Sequence, residues 1–506
     1  MQPSLKKNYA YSIFFEVFKL ITPFITMPYI ARVLEADGVG AYSYTHSVIT
    51  YFLLFGALGT ASYGEREIAQ NRKDRKKTSK LFWEIEILTV FTSGISLIAW
   101  IIFIFFNSDY RWHYIALTPF ILSTMFDISW FFTGQEKIRS IVIRNTAMKI
   151  LGIILLFVLV KKKEDILIYC VINSGVSLLG SLSMWTYLPG LLTKVHLREL
   201  EFKMHFHETI IYFIPTIATS VYTVLDKTLI GAITGNTYEN GFYEEATKVV
   251  NIAKAIVFSA VNSIMGARIS YLFSEKQYDE IKRRILRSMD FIYLLAFGAV
   301  FGIIGISKRF VPIFLGNGYD PVITLLMLMA PLVLIIGTSN CLGSQYYTPS
   351  GQRKRSAKVI VLGAVTNLIF NILLIPWCGA YGATIASVIA ECLITVLYVR
   401  MSNGYMQWKV LWDFSKKRLV AGILMGVVVY MAGVLLQPFS MSGSNSFGFV
   451  GFLALSFQVI TGALCYICIL RVMKDQMLIE LLGLARSFIT RVFNHTHSVR
   501  QRKKDN

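Results

Sequence analysis

Charged residues are scarce in this chain. Only 16% of its 506 residues are Asp, Glu, Lys or Arg, whereas 55% are hydrophobic. Soluble domains carry about 25% charged and about 45–50% apolar residues. No polar stretch is long enough to form even one aqueous domain. The composition therefore excludes a soluble multidomain protein and indicates a polytopic membrane protein.

Enzyme motifs are also lacking. The sequence has no P-loop, no HExxH and no GxSxG, and no loop is long enough to house a catalytic domain. The six cysteines lie inside apolar segments, and the Cys465/Cys468 pair has no second ligand pair nearby. We therefore predict a transporter that is not an enzyme, with no cofactor and no metal.

Apolar stretches of roughly 20 residues recur along the whole chain, each long enough to cross a bilayer as a helix. The run after Lys6 and Lys7 continues to about Ile30 without a cleavage site, so it is read as a retained first span. The predicted fold class is an all-α polytopic membrane protein with about fourteen transmembrane helices. The predicted spans are 8–33, 39–62, 81–106, 113–133, 138–160, 164–187, 208–234, 242–272, 289–310, 320–349, 353–376, 380–401, 417–438 and 447–471.

The net charge of +20 does not indicate nucleic acid binding, because most Lys and Arg lie in short loops such as 63–80, 273–288 and 350–358. These loops fall on one side if the N-terminus is cytoplasmic. The positive-inside rule then places both termini in the cytoplasm. The basic loops can also contact anionic lipids. The run 161–163 (KKK) is an exception, since it falls outside.

Two short motifs repeat at topologically equivalent places. Residues 134–137 (GQEK) follow the fourth span, and 351–354 (GQRK) follow the tenth. Residues 40–42 (GAY) begin the second span, and 241–243 (GFY) begin the eighth. An offset of about six spans preserves orientation, so it predicts two parallel six-helix lobes around a central cavity. The predicted domains are the lobes 1–207 and 208–410, two extra spans within 411–471, and a cytoplasmic amphipathic helix with a basic tail over 472–506.

Ionisable side chains inside apolar spans are costly and usually face a cavity or a partner. Glu16 and Lys19 share one face of span 1 and could pair. Asp226 and Lys227 are neighbours in span 7 and point in different directions, so Asp226 is either an ion or proton site or a structural clamp on Lys227. His46 in span 2 is either functional or a packed hydrogen-bonding residue.

Span 8 has more lysines in its interior than obvious partners there, since Glu244 and Glu245 at its start could lie near the outer interface. Glu244 could neutralise Lys248, but Lys254 lies further along the same span, and span 5 adds Lys149. A wet cavity with excess lysine suits an anion such as pyrophosphate, phosphate or an acidic sugar. The same cavity would repel a cationic drug.

Prolines also interrupt several predicted spans. They lie at Pro23 and Pro28 in span 1, Pro215 in span 7 and Pro331 in span 10. Each removes a backbone donor and favours a bend. Bent helices at a lobe interface would suit alternating access; kinks tolerated without a mechanistic role are the other interpretation.

Several segments are similar to a known family. Residues 23–34 (PFITMPYIARVL) with 38–42 (GVGAY) resemble the first hairpin of the polysaccharide repeat-unit flippases of the Wzx or RfbX type. Residues 63–69 (YGEREIA), 226–231 (DKTLIG) and 243–248 (YEEATK) resemble further motifs of that family. The resemblance covers the twelve repeat spans and weakens over the last two. Glu35 is a departure, because the family usually has Gly there.

The resemblance implies membership of the multidrug/oligosaccharidyl-lipid/polysaccharide exporter superfamily, whose two lobes rock between inward-open and outward-open states. Its polysaccharide branch moves an oligosaccharide linked to undecaprenyl pyrophosphate to the outer leaflet. The partners implied are this lipid-linked oligosaccharide, membrane lipids, and a polysaccharide polymerase with a chain-length regulator. The substrate-binding candidates are Lys19, Lys248, Lys254, Arg32 and His46, and the coupling or lobe-closing candidates are Glu16, Asp226, Lys227, Asp127 and Glu391.

Three other functions compete with this one. A lipid II flippase of the MurJ type has the same fold, but that group has arginines early in its first two spans, where this chain has Glu16 and Lys19. A drug–cation antiporter predicts an acidic cavity. A membrane-embedded polymerase or ligase predicts a large external loop with catalytic Arg or His, which this sequence lacks.

Overall fold

The computed structural model describes residues 5–196, 199–435, 449–484 and 486–487, and within these ranges the regular structure is helical. Short 3₁₀ turns flank α8, and π-helical turns occur at Ala255–Ser259 and Gly343–Tyr347. The helices are α1 (Leu5–Ala57), α2 (Thr60–Asn71), α3 (Arg75–Phe106), α4 (Arg111–Leu117), α5 (Pro119–Met125), α6 (Ser129–Gly134), α7 (Ile138–Leu159), α8 (Ile166–Met184), α9 (Phe202–Thr234), α10 (Thr237–Lys254), α11 (Ala260–Ser274), α12 (Tyr278–Phe314), α13 (Asp320–Met329), α14 (Leu332–Leu342), α15 (Arg353–Arg400), α16 (Trp408–Leu435), α17 (Phe449–Val472) and α18 (476–484).

Ten helical stretches within the described ranges are long and apolar enough to cross a membrane. Two of them, α1 and α15, each contain two predicted spans, because a residue with non-helical backbone divides each helix at Glu35 and Gly379. Predicted spans 7 and 8 correspond to α9 and to α10 with α11. The prediction of an all-α polytopic membrane protein is confirmed.

The turn between spans 1 and 2 explains the lysine run that departs from the positive-inside pattern. Glu35 has φ 57°, a backbone conformation that favours glycine. Lys163 Nζ lies 3.1 Å from Glu35 Oε2 and 3.3 Å from Asp37 Oδ2. The acidic turn thus neutralises a lysine at this end of the helices. These ion pairs compensate one positive charge of the run 161–163, which departs from the positive-inside pattern. They also involve Glu35, the residue with the positive φ.

Several predicted boundaries shift. The predicted loop 63–80 is largely helical, because α2 extends to Asn71 and α3 begins at Arg75. The predicted span 113–133 is divided into α4, α5 and α6, with Pro119 opening α5. Pro331 separates α13 from α14, as a proline-induced break predicts. By contrast, α1 is continuous through Pro23 and Pro28. The Pro215 side chain and the predicted loop 439–446 lie outside the described residues.

The described chain forms two compact units. The first unit extends to Glu245 and adds Leu315–Tyr319 and Ile360–Ser387. Its interior holds an aromatic cluster in which Phe82 stacks on Trp130 with ring centroids 5.7 Å apart. The second unit holds Ala246–Phe314, Asp320–Val359 and the chain from Val388 onward, in which α12, α16 and α17 pack together.

A buried arginine anchors the predicted amphipathic helix in the second unit. Arg418 is 2% exposed, and its Nε and Nη2 donate to Asp475 at 3.1 and 3.2 Å. Arg418 Nη1 also donates to the Asp290 backbone oxygen at 2.7 Å. Asp475 Oδ1 accepts from the Leu478 backbone N–H at 3.0 Å and so caps α18. Of the residues predicted for this helix, Ala485, Phe488, Ile489 and Val492 lie outside the described residues.

Arg418→Ala is expected to lower the free energy of unfolding by about 3–5 kcal/mol, because it leaves Asp475 as a buried carboxylate without its partner. Thermal unfolding of the purified protein in detergent, combined with limited proteolysis of the C-terminal segment, measures this effect. Lys416→Ala is the matched control, since Lys416 forms an exposed ion pair with Asp413 at 2.7 Å and its loss costs about 0–1 kcal/mol. Equal stability of the two variants would contradict the anchoring role.

Candidate substrate path and coupling site

Two lysines from different spans of the first unit lie near each other. Lys19 is exposed on α1, with its Nζ 5.4 Å from the centroid of the Phe15 ring. Lys149 lies on α7, which packs against α1, and the charges of the two lysines act on each other. Lys19 lies about 21 Å along α1 and Lys149 about 16 Å along α7 from the start of each helix, at 1.5 Å rise per residue. Both positive charges thus lie well inside apolar helices. The Glu16 side chain lies outside the described residues.

A second cluster joins α1, α9 and α10. Asp226 and Lys227 point in different directions, as predicted. Lys227 Nζ contacts Glu244 Oε2 at 2.5 Å, and Ser43 Oγ donates to the same carboxylate oxygen at 2.9 Å. The His46 ring stacks on Tyr42 with centroids 5.3 Å apart, and it lies within electrostatic reach of both Lys227 and Glu244. This cluster ties span 2 to spans 7 and 8.

Asp226 is the centre of a buried hydrogen-bond network. It is 6% exposed, and its Oδ2 accepts from Tyr243 Oη and Ser387 Oγ, both at 2.5 Å. Its Oδ1 accepts from Asn371 Nδ2 at 2.7 Å. Asn371 in turn bonds Asn367 Oδ1 at 3.0 Å. A carboxylate is thus held by three donors from α10 and both halves of α15, which gives a preorganised acidic site inside the helix bundle.

Sequence reasoning singled out Asp226 but missed the four side chains around it. Two signals could have found three of them. Asn367 and Asn371 lie one turn apart on the same face of an apolar span, where two amides need a polar partner. Ser387 follows at a position of the next span that faces back, because the chain reverses at Gly379. The Glu239 carboxylate accepts from the Ala380 backbone N–H at 2.8 Å and holds that reversal in place.

The helix ends at 36–40 and 237–241 approach each other reciprocally, and we call this contact the glycine crossing. A Cβ added at Gly40 would collide with the backbone carbonyl of Thr237, and one added at Gly241 would collide with the backbone carbonyl of Ala36. The Thr237 hydroxyl also donates to Asp37. Each contact pairs the glycine of one GxY motif with the residue four positions before the glycine of the other. Only glycine permits this approach of two backbones.

Arg32, further along span 1, packs against Gly316 of the same unit. A Cβ added to Gly316 would lie 3.2 Å from Arg32 Cγ.

Asp127 lies in the break between α5 and α6. Its carboxylate accepts from the Ser129 backbone N–H at 3.0 Å and lies 3.8 Å from Arg144 Nη2.

The second unit holds the remaining candidates. Lys248 is partly buried in the middle of α10. Lys254 ends that helix, immediately before the π-helical turn Ala255–Ser259, and it experiences the charge of the buried Glu391. π-helical turns recur at functional sites. Among the described residues, no group of three or more His, Cys, Asp or Glu side chains is arranged to hold a metal ion.

The model of the family described as polysaccharide biosynthesis protein matches residues 5–265, slightly more than half of the chain. The chain belongs to this family. A second family model, lipid II flippase MurJ, matches residues 140–449. The resemblance to Wzx-type flippases of the exporter superfamily is confirmed, and this member of the family is a polysaccharide flippase, a transporter and not an enzyme.

Curated relatives of this flippase agree with that assignment. A protein of Escherichia coli (strain K12) named "Putative O-antigen transporter" is 24% identical over 401 residues, covering 78% of this chain and 95% of the relative. A Haloferax volcanii protein named "Probable low-salt glycan biosynthesis flippase Agl15" is 26% identical over 211 residues, covering 40% of this chain and 44% of the relative.

Solved structures show that the fold of this flippase is shared across the superfamily. An inward closed conformation of the lipid II flippase MurJ matches with a TM-score of 0.69 at 14% identity, over 92% of this chain and 100% of that one. An inward-facing transporter of the multidrug MATE family matches with a TM-score of 0.58 at 11% identity, over 84% of this chain and 100% of that one. At these identities the likeness concerns the fold alone.

Proposed function

We propose that this flippase moves an oligosaccharide repeat unit linked to undecaprenyl pyrophosphate across the cytoplasmic membrane by alternating access. The polymer built from it is an O-antigen, a capsule or a similar surface polysaccharide. Both termini lie in the cytoplasm in this proposal, as the positive-inside pattern predicts. A polysaccharide polymerase and a chain-length regulator are the proposed protein partners.

The observation that carries the choice of an anionic substrate is the lysine pair of the first unit. Lys19 on α1 and Lys149 on α7 carry like charges that act on each other, and an anion bound between them would stabilise both. A diphosphate suits this arrangement, since it offers several oxygens to two point charges. A cationic drug would add to the repulsion instead. The lysine pair therefore favours a diphosphate-linked substrate over the drug–cation alternative.

Asp226 and its donors are the proposed coupling site. The carboxylate is enclosed by three hydrogen-bond donors, so binding a proton or a cation there would change the hydrogen bonds that hold α9, α10 and α15 together. Such a change is a local electrostatic event with consequences for helix packing. Lys227 and Glu244, with Ser43 of the other predicted lobe bonded to the same carboxylate, form the proposed lobe-closing group beside it.

The substrate proposal is tested by changing the lysine pair. The double variant Lys19→Ala/Lys149→Ala is expected to reduce surface polysaccharide by at least about tenfold, because about 1.4 kcal/mol of lost anion binding suffices for that factor. The arginine variant Lys19→Arg/Lys149→Arg keeps both charges and is expected to retain most transport. The measurement is surface polysaccharide in cells that lack the native flippase and express each variant at equal membrane levels.

Two further variants make that test specific. Lys161→Ala/Lys162→Ala removes two charges from an exposed loop and is expected to leave polysaccharide unchanged. Normal polysaccharide in the Lys19/Lys149 alanine variant would remove the pair from the substrate path. Loss in both alanine double variants alike would point to a general charge effect.

A lipid II flippase is the second candidate, favoured by the match of the MurJ family model to residues 140–449. Expression in cells depleted of their own lipid II flippase distinguishes the two. Rescue of growth would support lipid II as the substrate, and failure to rescue together with restored polysaccharide would support the leading proposal.

A further inference from the structure

Glu84 and Glu86 of α3 are both buried in the first unit, but they differ in their hydrogen bonding. Glu84 is 2% exposed and has several partners: His205 Nε2 at 2.9 Å, the Glu201 backbone N–H at 2.7 Å, and Lys80 Nζ at 3.6 Å. Glu86 is 1% exposed, and neither of its carboxyl oxygens has a hydrogen-bond partner among the described residues. The difference between them is local, because helix and depth are nearly the same.

Glu86 lies near the indole N–H of Trp130, which has no hydrogen-bond acceptor among the described residues. Phe82 lies one turn earlier on the same face of α3, and Trp130 of α6 stacks on it. The indole N–H of Trp130 approaches the Glu86 carboxyl but forms no hydrogen bond within the described residues. Trp130 is itself 3% exposed. A buried acceptor and a buried donor thus lie together with unmet bonding capacity, which is uncommon in folded proteins.

Among the residues that the structure describes, no hydrogen bond compensates the charge of this carboxyl. Asp127, from the α5–α6 break, acts on Glu86 by repulsion between like charges. Arg144 of α7 lies 3.8 Å from Asp127. An ionised, buried carboxylate with no hydrogen bond and an acidic neighbour is strongly disfavoured. Binding a proton removes the charge and supplies a donor.

We propose that Glu86 is a proton-binding site of the first unit, with Trp130 and Asp127 as its polar surroundings. The Asp127 side chain is 41% exposed, whereas Glu86 is enclosed. The site is separate from the Asp226 network, which is built from α9, α10 and α15. A role for this proton in driving transport rests on the proposed function; the binding of the proton does not.

The proton is tested on the wild-type protein by carbodiimide labelling. Dicyclohexylcarbodiimide, an apolar reagent, modifies protonated carboxyl groups, and mass spectrometry of peptides locates the product. At neutral pH we expect modification at Glu86 and none at the paired Glu84. Once the pH is high enough to remove the proton, labelling should fall by up to about tenfold per pH unit. Absence of labelling at Glu86 at neutral pH, or equal labelling of Glu84, would overturn the proposal.

Infrared spectroscopy of variants gives a second readout that requires no substrate. The C=O stretch of a protonated carboxyl group is expected in the wild-type protein at neutral pH, lost in Glu86→Gln and retained in Glu84→Gln. Glu86→Gln keeps the shape of a neutral side chain, so we expect it to fold. If sodium chloride, and not choline chloride, raises the melting temperature at fixed pH and Glu86→Gln abolishes this effect, the site binds Na⁺ and the proposal of a proton is wrong.

Discussion

Asp226→Ala is expected to lower the free energy of unfolding by about 3–5 kcal/mol, the range for removing one partner from a buried, hydrogen-bonded charged group. The substitution leaves Tyr243, Asn371 and Ser387 with buried donors that have lost their acceptor. It also leaves a small cavity between α9 and α15. Thermal unfolding in detergent measures the effect, and surface polysaccharide should fall with it.

Asp226→Asn separates stability from coupling. The amide oxygen of Asn can still accept, but the amide NH₂ faces side chains that donate to Asp226 in the wild-type protein. We therefore expect the free energy of unfolding to fall by about 1–3 kcal/mol. The charge is removed completely, and transport should therefore fall more than stability does. Asp109→Ala is the control, because Asp109 is an exposed loop residue that accepts only a long bond from Ser108 at 3.3 Å. Transport by Asp226→Asn at the wild-type level would exclude a coupling role for this carboxylate.

The Asp226 network also shows where sequence reasoning ends. Hydropathy predicts each span separately, since a run of about 20 apolar residues is a local property. It identified Asp226 as misplaced but could not choose between a clamp on Lys227 and an independent site. That choice depends on which helices pack together. Asn371 is separated from Asp226 by most of the second predicted lobe, and periodicity carries no information about contacts between distant spans.

Local features were predicted better where one residue decides the structure. Pro331 divides α13 from α14 as expected, because its ring removes a backbone donor. Pro23 does not interrupt α1, since other groups can satisfy the freed backbone within a membrane protein. The turn at Glu35 was expected to need glycine. Here a glutamate adopts the positive φ, and its ion pair with Lys163 lies in a segment that the charge pattern had marked as anomalous.

The glycine crossing carries the other large prediction. Gly241→Ala places a methyl group against the Ala36 backbone carbonyl, and a backbone, unlike a side chain, cannot rotate away. Relief requires the two helix ends to move apart, at a cost of about 1–3 kcal/mol for overpacking. A cost of about 2.8 kcal/mol would reduce the population of the closed contact by about a hundredfold relative to an open one. Gly40→Ala should act in the same way against the Thr237 carbonyl.

Cross-linking measures this population directly. Cysteines introduced as Asp37→Cys and Thr237→Cys replace two side chains in contact, so oxidation should join them efficiently in the otherwise wild-type protein. We expect Gly241→Ala to reduce the yield sharply. Surface polysaccharide should fall with it under the proposed alternating-access mechanism, in which this contact forms and breaks. Gly175→Ala is the matched control in α8, since an added Cβ there meets no atom within 4 Å. An unchanged yield in Gly241→Ala would mean that the helix ends tolerate a wider separation without opening, and that the repeated glycines serve packing and not the transport cycle.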